Sequence, residues 1–331
     1  MGGKLFNLGR LPRIEYLELE ADVRRYLDDR FPDRYRIPRY YGDKADFGDL
    51  DILLSEATIT TNWEELRQEI ITDLRVQDYI LRPKLLSMAY RNFQVDVFCV
   101  PPEHFQSTWQ FLCYNDLGNL LGKIFRRFNL KYGEKGLFYV FRRADGHYKR
   151  DLLLTQDMAQ ILAFLKLDWA TWDAGFARLD AMFAWVVACP YFTVKPFLKR
   201  AASTEKRVQQ RTTMQRFLDY LEANEITRAH PFAEDRDVYL PQIDAFFPKA
   251  NLLEAIAREK EKECQDNLIR EKFNGRIVME MFGDLRGKIL GRFMETFKQS
   301  FTRFNAEMVE MTPEEIKLRL EEHYNSDSWE K

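Results

Sequence analysis

Tyr41-Gly42-Asp43-Lys44-Ala45-Asp46-Phe47-Gly48-Asp49-Leu50-Asp51-Ile52-Leu53-Leu54 joins a glycine turn, a short polar loop and an apolar run that opens with alternating acids. Asp49 and Asp51 are two residues apart, so on a strand their side chains share one face while Leu50 and Ile52 take the other. Two carboxylates on one face repel each other unless a cation lies between them, and hard oxygen ligands suit Mg2+ or Mn2+. A third acid, Asp96, interrupts a second apolar run of strand type, Asn92 to Val100 (NFQVDVFCV), together with Gln94. Three carboxylates on neighbouring strands point to a two-metal site.

The flanking sequence supplies elements that would hold these strands. Between the acids, residues 61–76 (TNWEELRQEIITDLRV) read as a helix capped by Thr61 or Asn62, with Glu64 and Glu65 in its first turn. Leu85 to Arg91 reads as an intervening strand. Upstream, residues 14–30 place Ile14, Leu17, Leu19, Val23 and Leu27 at mainly helical spacing, and Pro32 and Pro38 end that helix. Downstream, residues 101–128 are expected to be helical, with Gly118 and Gly122 four apart so that another element can approach the backbone closely. Residues 136–154 read as a hairpin turning at Asp145-Gly146. Helices follow at Gln156–Leu165, Phe176–Val187, Met214–Leu221, Leu252–Asn267 and Pro313–His323, the last with Thr312 as cap, Pro313 at its first position and Glu315 completing a capping box.

GDLDILL followed by VDVFCVPPEHF resembles the nucleotidyltransferase superfamily with the DNA polymerase beta fold, which includes poly(A) polymerases and CCA-adding enzymes, in a divergent branch. Residues 272–301 (KFNGRIVMEMFGDLRGKILGRFMETFKQSF) are similar to a glycine-punctuated helical segment of the CCA-adding and poly(A) enzymes. The resemblance implies an α+β fold: a nucleotidyltransferase catalytic domain with a small mixed sheet over residues 1–152, then a mostly helical, acceptor-binding domain over 153–331. It implies a metal-dependent transfer of a nucleoside monophosphate from a nucleoside triphosphate, ATP among them, to an acceptor hydroxyl. Asp49, Asp51 and Asp96 would be both catalytic residues and metal ligands, and Gly42, Asp43, Lys44, Asn119 and Lys123 would hold the nucleotide. Family members follow the turn glycine with Ser or Gly where Asp43 stands here. Either Lys44 offsets that charge or the nucleotide is held differently.

Composition narrows the partners. A net charge of −2 argues against a wholesale polyanion binder, so a nucleic-acid surface has to be local. The segment from Phe192 to Phe217 is such a surface: Lys195, Lys199, Arg200, Lys206, Arg207, Arg211 and Arg216 face Glu205 alone. Lys199, Arg200, Lys206, Arg207 and Arg211 are the expected nucleic-acid contacts, and an RNA 3′ end, such as that of a tRNA, is the expected acceptor. A protein- or small-molecule-modifying transferase, or a non-catalytic nucleic-acid-binding protein on the same fold, are the alternatives. The four cysteines form no CxxC pair, the opening residues lack the apolar segment of a signal peptide, and no apolar run reaches the roughly 20 residues of a membrane span. A cytoplasmic protein is expected. The histidines show no metal-ligand spacing, and neither a Walker A nor a Gly-x-Ser-x-Gly motif occurs.

Overall fold

Alternating apolar residues in the two acid-bearing segments build adjacent strands at the centre of a mixed sheet. The structure, a computed structural model, describes residues 5–59, 62–198, 212–326 and 329. Lys199, Arg200, Lys206, Arg207 and Arg211 lie outside the described residues, as does Thr61. The chain is α+β and divides into two units, Met1–Phe141 with Arg150–Ala250, and Arg142–Lys149 with Asn251–Lys331. The expected boundary at residue 152 therefore falls inside the first unit. Helices that were expected to begin a second domain pack instead in the same unit as the acid-bearing strands.

In chain order the first unit opens with β1 (Leu11–Pro12), α1 (Arg13–Arg30), β2 (Tyr35–Arg36), β3 (Asp46–Phe47), β4 (Leu50–Ser55) and α2 (Trp63–Asp73). There follow β5 (Tyr79–Arg82), β6 (Leu85–Tyr90), β7 (Phe93–Val100), α3 (Pro102–Leu112), α4 (Leu117–Phe125), β8 (Leu130–Gly133), β9 (Gly136–Arg142) and β10 (Tyr148–Thr155). Then come α5 (Met158–Phe164), α6 (Trp169–Ala174) and α7 (Leu179–Ala188). The main sheet has the order β2-β4-β7-β6-β5. Only the β4–β7 pair is parallel, and it places Asp51 opposite Asp96. Leu50, Ile52, Leu54, Val95 and Val97 turn into one core with Val23 and Leu27 of α1 and Leu66 and Ile70 of α2. A one-residue slip of β4 would bury its acids in that core, which is what fixes the register. Asn62 caps α2 by accepting from the Glu65 N–H at 2.9 Å.

Several local readings are corrected. On α1, Ile14 and Leu17 are exposed, and the buried stripe runs through Tyr16, Leu19, Glu20, Val23 and Leu27. The helix expected over 101–128 is broken between α3 and α4, where Tyr114 and Asn115 take left-handed backbone angles (φ 60° and 62°). Gly118 lets the two halves close: a Cβ there would lie 2.7 Å from the Phe111 carbonyl oxygen. β5 was missed as a separate strand, because Tyr79–Arg82 is largely unburied and shows no alternation.

In the second unit, helices span Leu252–Lys272, Gly275–Met281, Gly287–Gln299, Phe304–Glu310 and Pro313–Asn325 around Val278, Phe293, Phe297, Met308, Ile316 and Leu320. The Lys272 ammonium donates to the carbonyls of Met308, Val309 and Met311, closing the end of the longest helix. The capping box expected at Thr312 and Glu315 is present.

The glycine turn is a structural joint within the first unit. Gly42 N–H donates to the Phe176 carbonyl at 2.8 Å, and a Cβ on Gly42 would lie 2.6 Å from the Ala177 carbonyl oxygen. Asp43 Oδ1 accepts from the Leu179 N–H at 2.9 Å, supplying a carboxylate to the first turn of α7, where the helix dipole favours it. Gly42→Ala should therefore destabilise the protein by about 1–3 kcal/mol, and Asp43→Ala by about 1 kcal/mol with partial recovery in Asp43→Asn. Urea unfolding checks both; a Gly42→Ala midpoint equal to that of the unaltered protein would contradict the packing.

Candidate functional site

Asp51 and Asp96 face each other because β4 and β7 run parallel in register, and Asp49 precedes β4 by one residue on the same face as Asp51. One carboxylate oxygen from each lies within 4.8 Å of the others. Gln94 Nε2 donates to Asp96 Oδ2 at 2.8 Å, while Asp96 Oδ1 is buried with no hydrogen-bond partner. A buried carboxylate oxygen left unsatisfied is costly, and here it sits beside two more carboxylates. The donor set is all hard oxygen, and the residues present fit a divalent metal.

The electrostatics agree with that fit. Burial, followed by the charges of Asp49 and Asp96, pushes the Asp51 carboxyl well above the usual carboxylate range. Burial likewise raises Asp96, with Ser87 and Gln94 opposing and Asp49 adding to the rise. Without a cation, the fold resists ionisation of Asp51 and Asp96.

A cleft of about 240 Å³ opens over Asp49 and Asp51, lined also by Lys44, Asn115, Asp116 and Asn119. Lys44 lies over the Phe47 ring at 4.1 Å and donates to Asn115 Oδ1 at 3.3 Å. Burial lowers its ammonium to about 8, against the pull of Asp49 and Asp51. Asn119 donates to Asp116 Oδ1 at 3.0 Å. Of the residues expected to hold a nucleotide, Lys44 and Asn119 are thus gathered at the acids. Gly42 and Asp43 are engaged with Phe176, Ala177 and Leu179, and do not line this cleft. Lys123 departs too, although it shares a helix face with Asn119: it donates to the Pro196 carbonyl at 3.1 Å and lines a separate cleft.

Sequence reasoning missed Arg39, Asn115 and Asp116. Arg39 lines the cleft with its guanidinium over Trp109 at 5.2 Å and Trp172 at 5.9 Å, and donates to the Asp173 carbonyl at 2.6 Å. Its partners are far away in the chain, so no local pattern announces it. Asn115 had a signal in principle, since an Asn next to Asp in a polar break between helices favours the left-handed turn it makes.

The sequence matches no protein-family model, and a search of curated proteins finds no relative. Among the described residues no helix is long and apolar enough to cross a membrane.

Because Asp51 has a raised pKa in the metal-free fold, its unfavourable contribution is absent below the ordinary Asp value and grows as pH rises through the folded value. Asp51→Asn should raise the metal-free Tm near neutral pH by at least about 2 °C, about 1 kcal/mol for a domain of this size. It should also abolish stabilisation by Mg2+. Differential scanning calorimetry with and without Mg2+, from pH 4 to pH 8, checks this; a metal-free Tm lowered by the substitution would contradict it.

Proposed function

We propose that the protein is a metal-dependent nucleotidyltransferase that moves a nucleoside monophosphate from a nucleoside triphosphate to an acceptor hydroxyl, with an RNA 3′ end, such as that of a tRNA, as the acceptor. The observation that carries the reading is the convergence of Asp49, Asp51 and Asp96 from a parallel strand pair, with Asp96 Oδ1 buried and unpartnered. When bound, Mg2+ or Mn2+ would supply Lewis-acid activation of the acceptor oxygen and neutralisation of charge on the triphosphate.

The chain's own residues define the rest. Asp49 and Asp51 would hold metal on both the triphosphate and the acceptor side, and Asp96 would join them on the acceptor side and take part in removing the hydroxyl proton. The acceptor oxygen would attack the α-phosphorus in line as the bond to the β-phosphate bridging oxygen breaks, releasing pyrophosphate. Lys44, half-buried beside Asp49, would meet the phosphate charge, and Asn119 would reach the sugar or base. At about 240 Å³ the cleft is smaller than most ligand pockets, which run from about 300 to 1,000 Å³. It suits the phosphate chain, with the rest of the nucleotide extending towards Arg39.

Asp43 was the feature hardest to reconcile with phosphate binding. Its carboxylate is committed to the Leu179 N–H, so it does not add an anion to the acidic cleft.

The test is incorporation of each labelled nucleoside triphosphate, with Mg2+ or Mn2+, into RNA, single-stranded DNA and the protein itself. Label should enter RNA and should fall by roughly 10²–10³-fold in Asp49→Asn or Asp51→Asn, with folding retained. Turnover undiminished in either variant would refute the assignment. Lys44→Met should weaken magnesium–triphosphate binding about tenfold, the loss of one ion pair of about 1.4 kcal/mol; equal affinity would remove Lys44 from the site.

A further inference from the structure

α4 carries residues of two clefts. Asn119 lines the acidic one, and Lys123, about 6 Å further along the helix axis, lines a second of about 850 Å³. The walls of the second cleft bring Lys123, Arg126 and Arg127 of α4 and the turn after it together with Lys195 and Arg236, and Glu234 is the single acid among its lining residues. The Arg127 guanidinium lies over the Phe232 ring at 5.1 Å, and its Nε is buried with no hydrogen-bond partner. Among the described residues no acidic side chain pairs with Arg126, Arg127 or Lys195. Arg126, Arg127 and Lys195 therefore border an open space with no paired carboxylate among the described residues, an arrangement that favours a bound polyanion.

Aromatic rings form part of the same wall. Phe232 packs edge-on against His230 at 4.7 Å and Phe128 at 5.1 Å, and His230 meets Tyr191 at 5.2 Å. Burial, followed by the charge of Arg228, lowers the pKa of His230. Guanidinium groups beside flat aromatic surfaces suit a chain that alternates phosphates with bases. A bare inorganic anion would use the cations and leave the rings idle. At more than three times the volume of the acidic cleft, the space is also too large for one phosphate group.

We propose that this cationic cleft holds the backbone phosphates of a single-stranded nucleic acid whose end reaches the acidic cleft along α4. The assignment of an end to the acids rests on the nucleotidyl-transfer reading; the strand-binding site itself does not. Lys195 belongs to the basic stretch read from the sequence; the expected contacts Lys199, Arg200, Lys206, Arg207 and Arg211 lie outside the described residues.

The experiment is fluorescence anisotropy of the full chain with a labelled single-stranded RNA of about 12 nucleotides, across a salt series. The unaltered protein is compared with Arg126→Glu/Lys195→Glu, which changes only side chains at the surface of the cleft, and with Arg127→Ala. The double variant should weaken binding at least about tenfold and lower the slope of log affinity against log salt by about 1.4, at about 0.7 per phosphate contact. Asp49→Asn/Asp51→Asn should bind the RNA as the unaltered protein does, so strand binding is read separately from transfer. Unchanged affinity and slope in the double variant would overturn the proposal, as would no RNA binding by the unaltered protein. Displacement of RNA by inorganic phosphate at equal phosphate concentration would also overturn it, reducing the cleft to a simple anion site. No incorporation by the unaltered protein, with its RNA binding intact, would count against the transferase reading and leave this site standing.

Discussion

The parallel pairing of β4 with β7 holds Asp51 opposite Asp96 and brings Asp49 to the same face, concentrating negative charge where water is scarce. Hydrophobic burial supports that pairing: Leu50, Ile52 and Leu54 on one strand and Val95 and Val97 on the other enter a shared core, and a one-residue slip would turn the acids into it. The repulsion is thus carried by the core. A divalent cation would relieve it, which is why a strand pair that is strained electrostatically is also a ready metal centre.

The glycine turn ties this face to the helices that follow. Gly42 meets the backbone of Phe176 and Ala177, and Asp43 caps the start of α7, so residues some 130 positions apart position Lys44 at the acids. A second joint lies between α3 and α4, where the turn at Tyr114 and Asn115 delivers Asn115, Asp116 and Asn119 to the cleft. Tyr114 OH donates to the Trp172 carbonyl at 3.0 Å, and its N–H donates to the Arg39 carbonyl at 2.6 Å, which connects that turn to the Arg39 platform. The helices after β10 therefore belong structurally to the acidic site.

The parts of this arrangement that were legible in the sequence are those set by short-range periodicity. Asp49, Asp51 and Asp96 interrupt apolar strands in a period of two, and the Asp145-Gly146 hairpin turn and the Thr312 capping box are signalled within a few residues. The parts that were not legible depend on which distant segment arrives. Lys123 shares a face with Asn119, yet the Pro196 carbonyl draws it to a different cleft. Asp43 reads as a phosphate-facing anion until Leu179 is placed beside it. The unit boundary is hidden for the same reason: the break comes in the hairpin tip and at residue 250, with no linker composition to mark it.

The central claim is that Asp49, Asp51 and Asp96 form a metal centre, and the most direct measurement is anomalous diffraction from crystals of the protein grown with Mn2+. The account predicts an anomalous peak in contact with carboxylate oxygens of all three residues, including Asp96 Oδ1. A well-ordered site with no peak at saturating Mn2+, or with Mn2+ bound only elsewhere on the chain, would contradict it.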